Sequence, residues 1–293
     1  MKRMMRKFRH TLFEVFAILS CLIYNLYGST KSHTFRQLVK HVPQTEETIS
    51  DTITDEKSIE PGKVIDFSEV GTVDKIEGVE EQLLTRTSYI VSYNKDTKCP
   101  NWVAWRLTRE HANGDIARIG NAFHEDSEVP SPRAQNTDYR KSGYSRGHMC
   151  PAGDNKWNRD VMYETFLLSN VCPQNANLNS GLWNQIEISC RLWAEKYGDI
   201  YIICGPMYFK SNEMQYIGED NVAVPDAFFK VILCLNEPKC IGFICRNTDG
   251  NKKKDMYVNT LEQVERLTGL HFFPDLNEKI RKNVESHADL SDW

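Results

Sequence analysis

One stretch of 44 residues, from Tyr144 to Glu187, is rich in side chains that do chemistry and poor in bulk hydrophobicity. Histidine titrates near neutral pH and is the usual general base, while arginine presents a planar set of donors that suits phosphate. Amide and carboxylate oxygens are hard ligands of the kind that Mg²⁺ prefers. The side chains concerned are Arg146, His148, Asn170, Asn179 and Glu187.

The spacing of these residues makes the pattern specific. Arg146-Gly147-His148 alone is a weak signal, although the glycine between the two side chains would let both face one ligand from a flexible loop. Asn170 follows His148 by 22 residues, in Ser-Asn-x-x-Pro-Gln. Asn179 follows nine residues later in Leu-Asn-x-Gly-x-Trp, and Glu187 eight residues after that. A base, a guanidinium and a hard-oxygen metal ligand together indicate hydrolysis of phosphodiester bonds.

The elements that must position these residues can be predicted from hydrophobic periodicity. Residues 89–93 and 102–107 form an antiparallel hairpin, residues 160–166 a short helix capped by Asn158, and residues 182–197 a longer helix with Glu187 off its apolar stripe. Buried strands follow at 199–205, 228–234 and 240–245, and a helix at 260–267 is stopped by Gly269. Strands and helices that do not alternate regularly predict an α+β fold with a central, largely antiparallel sheet flanked by helices.

Taken together, these motifs resemble the DNA/RNA non-specific endonucleases, the ββα-metal family that includes secreted bacterial nucleases and mitochondrial endonuclease G. The resemblance extends over about 190 residues, from residues 137–144 before the histidine motif to residues 268–274 near the end of the chain. It implies a metal-dependent endonuclease that hydrolyses DNA and RNA largely without regard to sequence, because its contacts go to phosphate and metal rather than to bases.

The resemblance also implies a role for each motif residue. His148 is expected to be the general base that deprotonates the attacking water. Asn179 is expected to be the single direct protein ligand of Mg²⁺, with Mn²⁺ or another divalent cation possible, and Glu187 to hold the metal's water ligands. Arg146 is expected to support the phosphate side, and Asn170 to fix the geometry between histidine and metal.

At two positions the family pattern does not give a single answer for this chain. The family uses an arginine about 30 residues before the motif to neutralise the phosphorane, and Arg118 fits best, at 28 residues before Arg146, with Arg109 and Arg133 as weaker candidates. Many family members also have aspartate before Arg-Gly-His, where this chain has Ser145. Ser145 therefore leaves room for a weakened enzyme, or for a nucleic-acid-binding protein that has lost catalysis. A nuclease specific for one sugar is a further alternative.

Charge neither favours nor excludes a polyanionic partner. The net charge of -4 is concentrated in residues 43–81, which carry three Lys against twelve Asp and Glu. Residues 82–282 carry 25 Lys and Arg against 24 Asp and Glu, so the catalytic part is close to neutral. DNA and RNA are the expected substrates, and the sequence does not determine the oligomeric state.

Nine cysteines allow two interpretations. If Cys21 belongs to a leader, the remaining eight form an even number that would suit disulfides in an oxidising compartment. The residues that are candidates for bridges are Cys99, Cys150, Cys172, Cys190 and Cys240. Cys204, Cys234 and Cys245 instead lie in apolar runs, where cysteine often serves as a small buried hydrophobe.

Composition divides the chain into four segments. Residues 1–30, basic and then apolar, are predicted to be a signal peptide or an N-terminal membrane anchor, which favours an exported protein that is periplasmic, membrane-anchored or secreted, with a bacterial source favoured. Residues 31–81 are predicted to be an acidic flexible linker. The endonuclease domain is expected to span residues 82–282, and residues 283–293 to form a C-terminal tail.

Overall fold

The computed structural model describes residues 65–75, 77–120, 122–250 and 252–293, all within the unit Lys57–Trp293. The predicted leader and most of the predicted linker lie outside these residues. The strands are β1 (Gln82–Thr85), β2 (Ile90–Asn94), β3 (Cys99–Leu107), β4 (Ser145–His148), β5 (Val171–Gln174), β6 (Ile200–Met207), β7 (Gln215–Ile217), β8 (Val222–Val224), β9 (Ala227–Cys234), β10 (Lys239–Arg246) and β11 (Val258–Asn259).

The helices are shorter and lie around the strands. A π-helical turn, Asn179–Trp183, leads directly into the longest of them. The α-helices are α1 (Arg109–Ala112), α2 (Arg159–Glu164), α3 (Ala176–Leu178), α4 (Asn184–Tyr197), α5 (Leu261–Thr268) and α6 (Glu278–Val284), and short 3-10 helices occupy Ala152–Asn155, Leu168–Asn170, Lys254–Tyr257 and Leu290–Asp292.

A seven-stranded sheet in the order β1-β2-β3-β6-β9-β10-β11 forms the centre of the fold. Every neighbouring pair in it is antiparallel, which confirms the predicted α+β class. Strands β6 and β9 are buried along their whole length. Their nearly continuous apolar sequences follow from this position, because a central strand covered on both faces has no solvent side that would require alternation.

Two hydrophobic clusters cover the two faces of this sheet. One contains Trp183, Ile186 and Trp193 from the α4 region. The other contains Leu261 and Val264 from α5. Helix α5 begins with a capping box between Thr260 and Gln263 and ends at Gly269, which is left-handed at φ 73. The predicted hairpin and the predicted helices near residues 160, 190 and 264 are therefore present with small shifts at their ends.

The packed domain begins earlier than the boundary at residue 82 that the acidic composition indicated. Phe67 and Val70 are buried against the sheet. The backbone N–H of Phe273 donates to the carbonyl of Thr72 at 2.8 Å, and that of Asp275 to the carbonyl of Val70 at 3.0 Å. Apolar burial and backbone pairing thus order residues 65–75 despite their charge. No helix within the described ranges is long and apolar enough to cross a membrane.

All eight cysteines after Cys21 are buried free thiols. The expected bridge candidates Cys99, Cys150, Cys172, Cys190 and Cys240 are therefore unpaired, so the disulfide interpretation is wrong for these residues. Burial raises the pKa of Cys190 and of Cys204 to about 12, so both remain protonated at neutral pH. These cysteines contribute to stability as small core residues.

Candidate active site

The histidine motif lies in a two-stranded antiparallel ribbon formed by β4 and β5. Ser145 pairs with Gln174, and His148 at the end of β4 pairs with Val171. The backbone continues through Met149, whose N–H donates to the Asn170 carbonyl at 2.9 Å. The motif is therefore held by a ribbon of paired backbone rather than carried on a loop.

Gly147 is required by close packing, not by flexibility. A Cβ built at this position would lie 2.2 Å from Oε1 and 2.6 Å from Cβ of Gln174, the residue that pairs with Ser145 across the ribbon. The sequence predicted that glycine is needed here for flexibility, and that explanation is wrong. The glycine lets β5 approach β4 closely enough to bury Gln174 completely.

We expect Gly147→Ala to destabilise the fold by about 1–3 kcal/mol, because overpacking at this contact forces the two strands apart. The measurement is the midpoint of thermal or urea unfolding. Gly120→Ala is the matched control, since a Cβ there meets no atom of the described residues within 4 Å apart from its chain neighbours. Equal stability of both variants would contradict the packing explanation.

An open cleft of 540 Å³ lies at the end of the ribbon and beside the start of α4. Among the six residues predicted for the site, the structure brings five to its walls and leaves out Asn170. Those five are Arg118, Arg146, His148, Asn179 and Glu187, and the other lining residues are Ala117, Pro151, Ala152, Gly153, Lys156, Ser180, Asn184 and Arg191.

His148 is held between aromatic rings and positive charges. Its ring centroid lies 4.9 Å from that of Phe123 and 5.0 Å from that of Phe166, the latter edge to face. Burial lowers the pKa of His148 to about 3, and the positive charges of Arg118 and Arg146 add to this effect. The imidazole is consequently neutral at pH 7. Its Nε2 is enclosed and has no hydrogen-bond partner within the described ranges, whereas the ring lines the cleft.

Asn179 is oriented by the serine that departs from the family pattern. Its Nδ2 donates to Ser145 Oγ at 3.1 Å, and Ser145 Oγ in turn donates to the Gln174 carbonyl at 2.8 Å. The hydrogen bond fixes which side of the carboxamide carries the nitrogen. It leaves the Asn179 Oδ1 free of hydrogen bonds to described residues at a wall of the cleft.

Glu187 is half-buried on the first turn of α4, and its carboxylate has no hydrogen bond or ion pair with the described residues. Burial raises its pKa to about 7, an effect that the nearby Lys230 ammonium opposes. Lys230 is completely buried at the centre of β9. Its Nζ lies 4.8 Å from the ring centroid of Trp105 and 4.6 Å from that of Trp183. No motif in the sequence identified Lys230 as a residue near the site, although it is the only charged residue in β9.

Arg118 and Arg146 each lie over one of the two aromatic rings that contact His148. The Arg118 guanidinium lies over the Phe166 ring at 5.6 Å, without a hydrogen bond to described residues. Arg146 lies over the Phe123 ring at 4.7 Å and donates to Asn136 Oδ1 at 2.5 Å.

The two weaker candidates for the upstream arginine lie outside the cleft. Arg109 donates to the Glu195 carbonyl at 2.9 Å, and Arg133 pairs with Glu125 at 2.9 Å. Arg118 is therefore the candidate that reaches the cleft.

Asn170 is fully buried behind the motif. Its Oδ1 accepts from the Cys150 N–H at 2.9 Å, and its Nδ2 donates to the carbonyls of Cys150 at 2.9 Å and Thr165 at 2.8 Å. The carboxamide is thus fully occupied by backbone and does not face the cleft. We assign Asn170 to positioning the segment after His148 rather than to the chemistry.

Arg191 reaches the cleft and was not identified from the sequence. It lies four residues after Glu187, so the two share one face of α4. Asp154 accepts from Arg191 at 2.8 Å and from Trp105 Nε1 at 3.0 Å. The i, i+4 spacing from Glu187 was the signal that could have identified it.

The donor set at the cleft fits a hydrated hard cation. No group of three or more His, Cys, Asp or Glu side chains that could hold a metal occurs in the described part of the chain. Asn179 Oδ1 and the Glu187 carboxylate line the same cleft, and both lack a protein partner among the described residues. Mg²⁺ takes one or two protein oxygens and keeps several waters, and these two oxygen donors suit that habit.

The sequence of this chain is similar to those of known nucleases. The family model for DNA/RNA non-specific endonucleases matches residues 68–279. Mouse mitochondrial nuclease EXOG is 39% identical over 208 residues, covering 65% of this chain and 56% of that protein. Bovine mitochondrial endonuclease G is 34% identical over 209 residues, covering 67% of this chain and 70% of that protein. The chain thus matches little more than half the length of the mouse relative.

A solved structure gives the same assignment for the fold. The crystal structure of the EndoG/EndoGI complex contains a chain that aligns with a TM-score of 0.66 at 29% identity, covering 74% of this chain and 93% of that one. The mitochondrial names of the mouse and bovine relatives overturn the expectation of an exported, periplasmic or secreted protein. Because the family model spans more than half of the 293 residues, the chain belongs to the DNA/RNA non-specific endonuclease family.

Proposed function

We propose that this protein is a divalent-metal-dependent phosphodiesterase that cuts DNA and RNA internally with little sequence preference. The observation that carries the proposal is the convergence on one cleft of a neutral imidazole, two guanidinium groups and two oxygen donors that have no partner in the described part of the chain. In this proposal these groups contact phosphate, water and metal rather than base edges, which accounts for cleavage independent of sequence.

His148 acts as the general base. Its Nε2 is enclosed, so Nδ1 is the nitrogen that accepts the proton of a water in the cleft. A bound phosphodiester offsets the positive charges of Arg118 and Arg146, which are among the causes that lower the pKa of His148. The base therefore becomes stronger when substrate occupies the cleft.

Arg118 and Arg146 bind the non-bridging oxygens of the scissile phosphate. Arg118 has no hydrogen bond to the described residues, so its donors are available to the negative charge that develops on the phosphorus. Arg146 is held by Asn136 and by the Phe123 ring, so it reaches the phosphate from a fixed position.

Asn179 Oδ1 would hold a divalent cation directly, and Glu187 would hold waters of that cation. When bound, Mg²⁺ or Mn²⁺ supplies Lewis-acid stabilisation of the leaving 3′-oxygen. Ser145 keeps the Asn179 amide turned so that its oxygen faces the cleft.

We expect Ser145→Ala to lower cleavage about 10-fold, because removing an outer partner of a metal ligand costs 10–100-fold in affinity or activity. Ser145→Asp supplies another acceptor for Asn179 Nδ2 and should stay near the unaltered rate. The measurement is initial cleavage rate across a Mg²⁺ series. Equal cleavage rates for Ser145→Ala and Ser145→Asp would show that the hydrogen bond between residue 145 and Asn179 does not support cleavage.

The full chain should be tested on supercoiled plasmid and on structured RNA, with Mg²⁺ and with EDTA. Degradation of both polymers only with metal is expected. Binding without cleavage at any divalent metal would replace the enzyme with a nucleic-acid-binding protein, and cleavage of one polymer alone would indicate a sugar-specific nuclease.

We also propose a mitochondrial location. The relatives carry mitochondrial names, and residues 2–9 contain five Lys and Arg with Glu14 as the only acid in residues 1–30. A basic leader poor in acids is typical of mitochondrial targeting. Imaging of the full chain with a C-terminal fluorescent protein tests this location, and a signal confined to the secretory pathway would refute it.

A further inference from the structure

A second open cleft, of 590 Å³, adjoins the catalytic cleft. The two clefts share Arg118, Arg146 and Asn179, which are the residues proposed to face phosphate and metal. The second cleft extends from that shared edge on the side of Tyr144 and Arg140. A strand whose scissile phosphate lies at the shared edge would have the second cleft within reach of its next nucleotide.

Arg140 provides an uncompensated positive charge in this second cleft. It is exposed, and its guanidinium has no hydrogen bond or ion pair with the described residues. Several arginines of the domain are instead paired with carboxylates, as Arg106 is with Asp199 and Arg133 is with Glu125. A free guanidinium at the wall of a groove next to a phosphate site suits a second phosphate.

The aromatic residues of the second cleft differ in what they can contact. Phe123 has one face covered by the Arg146 guanidinium at 4.7 Å, and Tyr139 is buried. Tyr144 is half-buried and lines the cleft beside Ser145. Its ring is therefore the one placed to stack on a base, an interaction that every base can make.

We propose that the second cleft is a subsite for the nucleotide adjacent to the scissile phosphate, with Arg140 binding its phosphate and Tyr144 stacking on its base. This assignment rests on the proposed nuclease function. In this assignment the substrate is a polymer that also contacts the protein at the nucleotide next to the scissile bond. A small phosphodiester without flanking nucleotides is predicted to use the catalytic cleft alone.

The first test measures binding of a fluorescent single-stranded oligonucleotide to the full chain in EDTA, so that no turnover is needed. Arg140→Ala should weaken binding about 10-fold and reduce the slope of log K against log salt by about 0.7, the value for one phosphate contact on a single strand. Arg159→Ala is the matched control, because Arg159 is exposed and lines neither cleft. Equal binding by both variants, or an unchanged slope for Arg140→Ala, would overturn the subsite.

The second test compares substrates. For Arg140→Ala, the loss of kcat/KM on an oligonucleotide should exceed the loss on bis(4-nitrophenyl) phosphate by about 10-fold. Tyr144→Leu should show the same bias and Tyr144→Phe should not, because phenylalanine keeps the stacking ring. Equal losses on both substrates would refute the subsite. If the unaltered chain cleaved neither substrate, the proposed function would fail, whereas oligonucleotide binding in EDTA would still decide whether the subsite exists.

Discussion

His148→Ala is expected to lower kcat for plasmid and RNA cleavage about 10³-fold, within the 10²–10⁴ range that a positioned general base contributes. His148 lines the cleft with a pKa lowered to about 3, so it is present as the base at neutral pH. Arg118, Arg146 and Asn179 remain in place, and binding of nucleic acid should therefore persist. The measurements are single-turnover cleavage and oligonucleotide binding on the same preparations.

Two further variants separate chemistry from packing. His148 contacts Phe123 and Phe166, so alanine leaves space among aromatic rings, whereas His148→Asn retains more of the side-chain volume without supplying a comparable base. His148→Ala and His148→Asn should lose cleavage activity to the same extent. His287→Ala is the matched control, since His287 is exposed and pairs with Asp292 outside the cleft. Substantial turnover by a folded His148→Asn would refute the assignment of the base.

Asn179→Ala is expected to abolish most metal-dependent cleavage, with activity about 10²-fold lower and a metal requirement raised at least about 10-fold. It removes the amide oxygen proposed as the direct ligand, and the loss should be no smaller than the 10–100-fold found for outer partners of metal ligands. Titration calorimetry of Mn²⁺ binding to the protein without nucleic acid measures the loss independently of turnover.

The outcome for aspartate at the same position distinguishes ligand loss from a change of shape. Asn179→Asp retains an oxygen ligand of the type that hard cations take, and should keep Mn²⁺ binding. Asn283→Ala, on the exposed face of α6, is the control and should bind metal normally. If Asn179→Ala bound Mn²⁺ as the unaltered chain does, the proposed ligand set would be wrong.

The sequence determined the fold class and most of the cleft. Apolar runs of the right length predicted β6, β9 and β10, because central strands buried on both faces must be apolar throughout. The motif spacing identified four residues that line one cleft, since Arg146 and His148 come from one strand, and Asn179 and Glu187 from adjoining helical turns. The family resemblance supplied the fifth, Arg118.

Only the tertiary structure decided how these residues are supported. The hydrogen bonds of Ser145 with Asn179 and of Asn170 with Cys150 join residues that are distant in the chain. No local pattern therefore marks Asn170 as a buried residue that binds backbone, or Ser145 as the acceptor for Asn179. The same holds for Gly147, whose requirement is the close approach of Gln174 across the ribbon. Hydrogen bonds between strands depend on register, which spacing along the chain does not encode.

Burial explains the remaining differences between the sequence predictions and the structure. Cysteine count suggested bridges, but the central sheet places Cys204 and Cys234 within the core as free thiols. Acidic composition suggested a linker up to residue 81, yet Phe67 and Val70 contribute enough apolar surface to pack. Lys230 is the clearest case, since lysine is rarely buried completely, and only the fold puts its ammonium beside two tryptophans in the core. Residue types and their spacing thus define the chemistry, while long-range packing sets the orientation, charge state and access of each group.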